Sequence, residues 1–374
     1  MFKDQFVTSD HIWLNAASEG PLPKCAHTAL EEAVGWKSLP YQLNEKFARV
    51  PVELKQALGR LMGVPPADVI LGSSTSYGLF VLTDGFPWEE GDEVLVMEND
   101  FPTNILPWLA LEDKGVVVRQ LKPAAAVLTP EELEQAIGPQ TKWICLSHVH
   151  TFSGWPLKIG EMAKLARARG VYFVVNVAQS LGNSPVDLSA WDVDAAVGVG
   201  YKWLCGPYGT GFAWIRPELR QKLQNRHPYW PVYLSEAELQ AEEPLTLKKL
   251  TGARALDMSG TANFFNFVPL KAAVDFWLEA GPDKVYAHND HLVGLLLAGL
   301  DRDRYTVLSP EDPETRTPLV VLSAKDRAQN KVLFERLVAQ KIHPAYWKHH
   351  LRFSPHVYNT PEDIQALLKA LHKK

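Results

Sequence analysis

The sequence predicts an α/β fold: a large domain with a mostly parallel sheet covered by helices, followed by a smaller α+β domain. Between residues 69 and 215, short β-rich runs alternate with amphipathic helical patterns, as in sheets whose strands are joined by helical crossovers. Several runs are apolar on both faces, which strands buried on both sides require. After about residue 260, long helical patterns and scattered β-rich runs replace this alternation.

Six runs are interpreted as strands of the large sheet. In chain order they are VILG at 69–72, EVLVM at 93–97, VVVRQL at 116–121, KWICLSHV at 142–149, VYFVVNVA at 171–178 and GFAWI at 211–215. Between two of them, Ile159, Met162, Leu165 and Ala166 recur at helical spacing before Gly170. Ligands of such sheets bind beyond the carboxyl ends of the strands, so residues that follow these runs are candidates for a site.

The remaining residues are predicted to form the smaller domain. In order, its elements are a helical stretch from Val268 through Leu300, a strand in TPLVVLSA at 317–324, a helix from Lys325 to Gln340, the segment HLRFSPHVYN at 350–359 and a terminal helix. A single core rarely grows beyond roughly 250–300 residues. We therefore divide the 374 residues into domains 1–260 and 261–374 and expect the N-terminal segment to lie near the active site.

The composition argues against several classes of protein. A net charge of -5 offers no basic surface for nucleic acid. The longest membrane-like stretch, Leu292 to Leu300, is about half the ~20 apolar residues that span a bilayer. Neither the histidines nor the three cysteines, Cys25, Cys145 and Cys205, have the spacing of a metal site. We expect a soluble, cytoplasmic protein with no metal, nucleic acid or membrane partner.

The most informative segment is residues 174–211, which contains VVNVAQS and YKWLCGPYGTG. It resembles the class V aminotransferases, in which a strand ends in Asp-x-Ala-Gln and a later lysine precedes a Gly-Pro-x-Gly turn. The resemblance implies a fold-type I enzyme whose cofactor is pyridoxal 5′-phosphate, bound as a Schiff base to the catalytic Lys202. A lone lysine is usually a surface residue, but Lys202 follows the apolar run AAVGVG and lies between two aromatic residues.

The same resemblance implies the other cofactor contacts. The loop LGSSTSYGL at 71–79 offers hydroxyls for a phosphate, and its members are Ser73, Ser74 and Thr75. Taken alone, this loop could be a capped helix start. The resemblance implies that Gln179 and Tyr201 complete the cofactor-binding site. Phe101 lies where many relatives have a histidine that stacks on the pyridine ring of the cofactor. Gly260 and Thr261 would reach the neighbour's phosphate across a homodimer.

A final motif near the C-terminus, RFSPHVYNT at 352–360, resembles the family signature Arg-x-Ser-x-x-x-Tyr-Asn-Thr. The resemblance implies that Arg352 binds the carboxylate of the substrate, because its planar fork matches two carboxylate oxygens. The alternative for any single arginine is a structural salt bridge. The substrate class is therefore an amino acid or a related amine.

The reaction is narrowed by what the sequence lacks. No cysteine follows Cys205, so the nucleophile of a cysteine desulfurase is missing. The variants YKWLCGPYGTG and RFSPHVYNT are similar to the isopenicillin N epimerase-like branch. Transaminase, epimerase and β-lyase chemistry stay open. A nicotinamide-dependent dehydrogenase would need a GxGxxG motif after an early strand, which does not occur.

Asn176 departs from the family pattern, because it stands where the Asp-x-Ala-Gln signature has its aspartate. That aspartate pairs with the protonated pyridine nitrogen, whereas an amide carries no charge and can equally donate to an unprotonated nitrogen. We expect carbanions at Cα to be poorly stabilised, and the alternative function is a cofactor-binding protein with weak or lost catalysis. An Asn176→Asp exchange is expected to be nearly isosteric and to leave cofactor binding intact.

Overall fold

The computed structural model describes residues 2–7, 9–260 and 262–373. The strands are β1 Ile12–Trp13, β2 Val69–Gly72, β3 Glu93–Met97, β4 Val117–Leu121, β5 Thr141–Ser147, β6 Tyr172–Asn176, β7 Ala195–Val199, β8 Gly211–Ile215, β9 Tyr305–Val307, β10 Val320–Ala324, β11 Ile342–His343, β12 Ala345–Trp347 and β13 His350–Phe353. The α-helices are α1 Lys24–Ser38, α2 Lys46–Met62, α3 Thr75–Gly85, α4 Leu106–Leu109, α5 Pro130–Ala136, α6 Ile159–Ala168, α7 Leu188–Trp191, α8 Pro217–Arg220, α9 Trp230–Tyr233, α10 Glu236–Gln240, α11 Phe264–Ala280, α12 Pro282–Ala298, α13 Gln329–Ala339 and α14 Pro361–His372. None of the helices in this described part has both the length and the apolar character to cross a membrane.

Seven strands form the central sheet in the spatial order β2-β8-β7-β6-β5-β3-β4. The five strands from β3 to β7 run parallel to one another, whereas β8 is antiparallel to both β2 and β7. The mostly parallel sheet that the sequence predicts is therefore confirmed. Because β8 reverses direction, β2 points the same way as the parallel strands, and its carboxyl end lies at the same edge of the sheet.

Apolar side chains cover the central sheet on both faces. Successive residues of β6 belong to different core clusters, Phe173 to one and Val174 to the other, as the alternation of a strand requires. Trp143 and Trp108 fill the second cluster, and Trp277 fills the first. All five side chains are at most 1% exposed. The apolar runs in the sequence therefore reflect helices packed on both sides, as expected.

The C-terminal part has its own antiparallel sheet, in the order β12-β13-β10-β9. A third core cluster lies beneath it and includes Leu296, Leu322 and Leu367. The predicted helical stretch from Val268 through Leu300 is divided into α11 and α12. The division falls at Gly281, whose φ of 85° no helix accepts, and at Pro282, which lacks an N–H and starts the next helix.

The division of the chain into residues 1–260 and 261–374 stays a prediction. Helix α11, which that boundary assigns to the small domain, packs against α1 and α2. Its residues Phe267 and Trp277 lie in the core of the large sheet. A division near Gly281 therefore fits the packing better than one at residue 260.

The loop that joins β2 to α3 lies directly against the first residue of β8. Gly211 pairs with Gly72 across the sheet, and a Cβ added at Gly211 would lie 2.4 Å from the carbonyl carbon of Ser74 and 2.5 Å from its nitrogen. Such distances are far inside van der Waals contact, and backbone atoms cannot rotate away. Gly211 is therefore the residue that lets the β2–α3 loop close onto the sheet.

We predict that Gly211→Ala lowers the free energy of unfolding by about 1–3 kcal/mol, the usual cost of forcing an extra group into a packed interior. Urea unfolding checks this. The matched control is Gly35→Ala in helix α1, where an added Cβ meets nothing within 4 Å and the better helix former should stabilise by roughly 0.5–1 kcal/mol. Equal effects of the two exchanges would contradict the proposed close approach.

Candidate active site

A cleft opens where the carboxyl ends of the central strands meet. Five strands contribute residues at or just after their carboxyl ends. The start of α3 follows β2, Phe101 and Thr103 follow β3, and Ser147 and Thr151 lie at and after the end of β5. Asn176 ends β6, and the segment with Lys202 follows β7. The lining residues are Ser74, Thr75, Ser76, Phe101, Thr103, Ser147, Thr151, Asn176, Ala178, Gln179, Val199, Tyr201 and Lys202. The position follows the rule for open α/β sheets.

Lys202 is a buried cation that lines this cleft. Its residue is 7% exposed, and its Nζ lies 5.1 Å from the centroid of the Phe101 ring. Burial, and secondly the nearby charge of Arg352, lower the pKa of Lys202 to about 7. An amine in this environment is largely unprotonated slightly above neutral pH, which makes it nucleophilic.

The backbone around Lys202 is held from several sides. Gly20 donates its N–H to the carbonyl of Tyr201 at 2.8 Å, and a Cβ at Gly20 would lie 2.1 Å from the carbonyl oxygen of Lys202. His356 donates from Nε2 to the carbonyl of Trp203 at 2.8 Å. Burial lowers the pKa of His356 to about 3, so the ring is neutral and its Nδ1 can accept from Asn289. The lysine therefore sits on a rigid loop.

The start of helix α3 forms one end of the cleft. Ser74 caps this helix, because its Oγ accepts the N–H of Tyr77 at 3.2 Å; the loop is thus a capped helix start and a cleft wall at once. The Oγ of Thr75 is buried and has no hydrogen-bond partner among the described residues. A buried hydroxyl without a partner is costly, so this one is suited to a bound polar group. Ser73 does not line the cleft.

The walls of the cleft are aromatic and amide side chains. The ring centroids of Phe101 and Phe152 are 6.3 Å apart, and those of Phe152 and Trp347 are 6.0 Å apart. Gln179 lies at the floor, where its Oε1 accepts from the indole of Trp203 at 2.9 Å. Burial raises the pKa of Tyr201 to about 12, so its hydroxyl stays protonated and can donate a hydrogen bond.

Asn176 belongs to a buried network of polar side chains below the cleft. Its Nδ2 donates to Oδ1 of Asn104 at 2.8 Å, and Nδ2 of Asn104 donates to Oδ2 of Asp100 at 2.8 Å. Ser147 joins both, because it donates to Asp100 and accepts from Asn104. The short 3₁₀ turn Pro102–Asn104 after β3 brings Asn104 to this position.

Arg352 lies on β13 and is 2% exposed. It donates to the carbonyl of Thr151 at 2.9 Å, to Oγ of Ser18 at 2.8 Å and to Oδ1 of Asn15 at 3.3 Å. All three partners are neutral oxygens, and its Nε has no partner among the described residues. Burial lowers the pKa of Arg352 to about 9. This arginine is not held by a structural salt bridge within the described chain.

The structure thus brings together most of the residues that the sequence singles out. Gly260 does not line the cleft of its own chain; it is exposed and has a φ of 75°. Thr261 lies outside the described residues. Sequence reasoning missed the polar residues that complete the site: Ser76, Asp100, Thr103, Asn104, Ser147 and Thr151. Their signal was their place just before or after the carboxyl end of a predicted strand.

The chain is similar to known proteins along nearly its whole length. The chain is 28% identical to isopenicillin N epimerase from Streptomyces clavuligerus, over 96% of this chain and 93% of that protein. It is 25% identical to a probable cysteine desulfurase from Methanothermobacter thermautotrophicus, over 99% and 96%.

Among solved structures, a C-DES mutant with glycine covalently linked to its PLP cofactor matches with a TM-score of 0.89 at 22% identity, covering 99% of this chain and 98% of that one. This likeness confirms the fold-type I architecture. The family model of class V aminotransferases matches residues 15–367. Because that match covers nearly the whole sequence, the chain belongs to the class V aminotransferase family.

Proposed function

We propose that this protein is a pyridoxal 5′-phosphate-dependent enzyme that acts on an amino acid or a related amine, with the cofactor bound covalently to Lys202. The observation that carries the proposal is a pair of buried cations, Lys202 in the cleft with a pKa near 7 and Arg352, which has no charged partner and donates to the carbonyl of the cleft residue Thr151. An amino acid has both an amine and a carboxylate. The Lys202 amine with its cofactor suits the first group, and the Arg352 guanidinium suits the second.

The residues present in the cleft fit the cofactor. Its phosphate suits the N-terminus of α3, where the Oγ of Thr75 has no described partner and backbone N–H groups favour anions. Phe101 offers a flat apolar surface for the ring, and Asn176 and Gln179 offer amides. When bound, the cofactor supplies an electron sink for the bonds of the substrate's α-carbon.

The side chains of the cleft then divide the remaining work. Lys202 holds and moves a proton at the α-carbon, since its amine gains and loses that proton near neutral pH. Arg352 orients the substrate through its carboxylate. Tyr201 stays a neutral hydroxyl donor, and Phe101 and Phe152 exclude water from one wall.

We further propose that the protein is not a cysteine desulfurase, although some relatives carry that name. None of the three cysteines lines the cleft. Cys145 and Cys205 are buried, and burial raises their thiol pKa values well above the ordinary range. Cys25 is on helix α1, where its Sγ lies 3.6 Å from the carbonyl of Ala272. A persulfide mechanism has no nucleophile at this site.

Among the remaining reactions, transamination, epimerisation and β-elimination share the same first step at the α-carbon. The alternative, a cofactor-binding protein with weak catalysis, is favoured by the neutral amide of Asn176. An amino-acid screen with mass detection separates these cases by product: a keto acid, an inverted stereocentre, an eliminated group, or no product.

The homodimer and the cytoplasm belong to the same proposal. Gly260 is exposed, so it is accessible to a neighbouring chain. On helix α2, Phe47 and Val52 are 54% and 53% exposed, and such apolar side chains favour a partner surface. The three cysteines are free, which suits a reducing compartment.

The first prediction concerns covalent attachment. Borohydride reduction of the cofactor-loaded protein should fix the pyridoxyl mass on Lys202, which peptide mapping detects. Lys55 is the matched control, because it is also buried but paired with Asp257 at 2.8 Å, and it should carry no label. A label on another lysine, or none after loading, would contradict the proposed function.

A second prediction tests substrate orientation. Arg352→Ala should weaken reaction with amino acids by about 2–5 kcal/mol in kcat/KM, because one partner of a buried charge pair is lost. Amines without the carboxylate should be affected far less. The control is Arg316→Ala, whose guanidinium pairs with Asp290 at 2.5 Å and 2.8 Å and should leave the preference for carboxylates unchanged. Equal losses for both substrate classes would show a structural arginine.

The lowered pKa of Lys202 gives a prediction about pH. Between about 7, its folded value, and 10.5, its ordinary value, the unfolded state holds more protons than the folded state. The free energy of unfolding therefore rises with pH across that window. Below about pH 7 the folded protein must hold Lys202 in its charged form, and the destabilisation from burying that charge is then at its full value. Cofactor-free Lys202→Met should be more stable than the parent protein near pH 7, with the difference shrinking toward pH 10.

Urea unfolding of both cofactor-free proteins at several pH values measures this difference. A constant difference across the range would show that Lys202 is charged in the folded protein, contrary to its environment.

A further inference from the structure

We propose that Asp100 and Asn104 are positioning residues that fix the amide of Asn176 so that its N–H, and not its oxygen, faces the cofactor's ring nitrogen and keeps that nitrogen unprotonated. The proposal rests on the proposed function, because it needs the cofactor in the cleft. It assigns the Asp100–Asn104–Asn176 network, which lies beneath the cleft, a role in setting the electronic state of the cofactor.

Asp100 anchors the network as an acceptor. It is 3% exposed, and its two carboxylate oxygens accept four hydrogen bonds. The donors are the N–H of Phe101 at 2.7 Å, the Oγ of Ser147 at 2.7 Å, the Nδ2 of Asn104 at 2.8 Å and the N–H of Ser147 at 3.0 Å. An ionised carboxylate only accepts, so every contact suits the negative charge at this position.

The carboxylate dictates how the amide of Asn104 is turned. Because Asp100 only accepts, Asn104 must direct its Nδ2 toward it, and the second hydrogen of this Nδ2 goes to Oγ of Ser147 at 2.8 Å. Ser147 has already donated its hydroxyl hydrogen to Asp100 and is therefore an acceptor here. Asn104 is 0% exposed, and its Oδ1 is left to face Asn176.

Asn104 in turn dictates the orientation of Asn176. The Oδ1 of Asn104 needs a donor, so Asn176 turns its Nδ2 toward it at 2.8 Å. The Oδ1 of Asn176 is occupied by the N–H of Ala178 at 2.9 Å. Nδ2 carries a second hydrogen, for which the described residues supply no partner, and Asn176 lines the cleft. The group available to a ring nitrogen is therefore a donor.

Asn176→Asp is nearly isosteric, but this order of donors predicts that the exchange destabilises the network. The size is matched, but an aspartate would place an acceptor against the Oδ1 of Asn104. If Asn104 turned around to donate to it, its oxygen would face the carboxylate of Asp100. Either arrangement leaves two buried acceptors in contact and adds a second negative charge to the network, which is costly in a buried site.

The first test needs no cofactor. In the cofactor-free protein, Asn176→Asp should lower the unfolding midpoint. Adding Asp100→Asn to the same chain should recover part of that loss. An amide at position 100 can donate to the oxygen of Asn104, so that Asn104 can turn and donate to the aspartate at position 176. Strictly additive losses would overturn the network as described. Cofactor binding plays no part in this measurement, so it stands apart from the proposed function.

The second test observes the ring nitrogen itself by ¹⁵N NMR of protein loaded with pyridoxal phosphate labelled at that atom. The parent protein should show the downfield resonance of an unprotonated nitrogen from pH 6 to pH 9, whereas Asn104→Ala, which frees the Asn176 amide to turn, should move the resonance upfield. The control is Asn330→Ala, a fully buried asparagine on helix α13 that donates to Ser323 of the small sheet, and it should leave the resonance in place.

A protonated nitrogen in the parent protein, with the label attached to Lys202, would overturn the proposal while leaving the proposed function intact. An unchanged resonance in folded Asn104→Ala would overturn it as well. Failure of the label to attach at all would instead contradict the proposed function.

Discussion

Burial of two cations, one lining the cleft and one hydrogen-bonded to its wall, is the constraint on which the rest of this site depends. Lys202 and Arg352 are 7% and 2% exposed, and removing an ion from water costs several kcal/mol even after relaxation. The protein limits this cost in two ways: Lys202 gives up its proton near neutral pH, and Arg352 is surrounded by neutral oxygens. A ligand with a phosphate and a carboxylate lowers the cost further, so the cleft favours an anionic occupant.

Those neutral oxygens come from parts of the chain that are distant in sequence. Asn15 and Ser18 precede every strand of the central sheet, yet they contact Arg352 on β13, near the other end of the chain. The parallel pairing of β1 with β11 and the bridge from Asn15 to Ser354 hold the N-terminal segment there. The cleft is therefore complete only when both ends of the chain have docked on the sheet.

Much of this could be predicted because the informative motifs are local and the sheet collects them. Asn176 and Thr75 lie at or just after predicted strands, and Lys202 follows the apolar run AAVGVG, which forms β7 although it is not among the predicted strands. Parallel strands bring such positions to one edge. The partners of Asn176 could not be predicted in this way. They depend on β3, β5 and β6 being spatial neighbours. The spacing of β-rich runs along the sequence does not determine the order of the strands in the sheet. The break at Gly281 has a local signal, its Gly-Pro pair, but the apolar pattern continues on both sides of it and predicts one long helical stretch.

Under the proposed function, the network also bears on the neutral residue at position 176 of this chain. The chain keeps a buried carboxylate beneath the cleft at Asp100, which is linked to Asn176 by two hydrogen bonds through Asn104. Polarisation along such a chain strengthens the terminal N–H as a donor, yet it does not place a charge beside the ring. With the cofactor in the cleft as proposed, the electron sink would therefore be weaker than with an aspartate at 176. More of the barrier must then be lowered by the other groups: the placement of the Lys202 amine, the orientation imposed by Arg352 and the exclusion of water by Phe101 and Phe152.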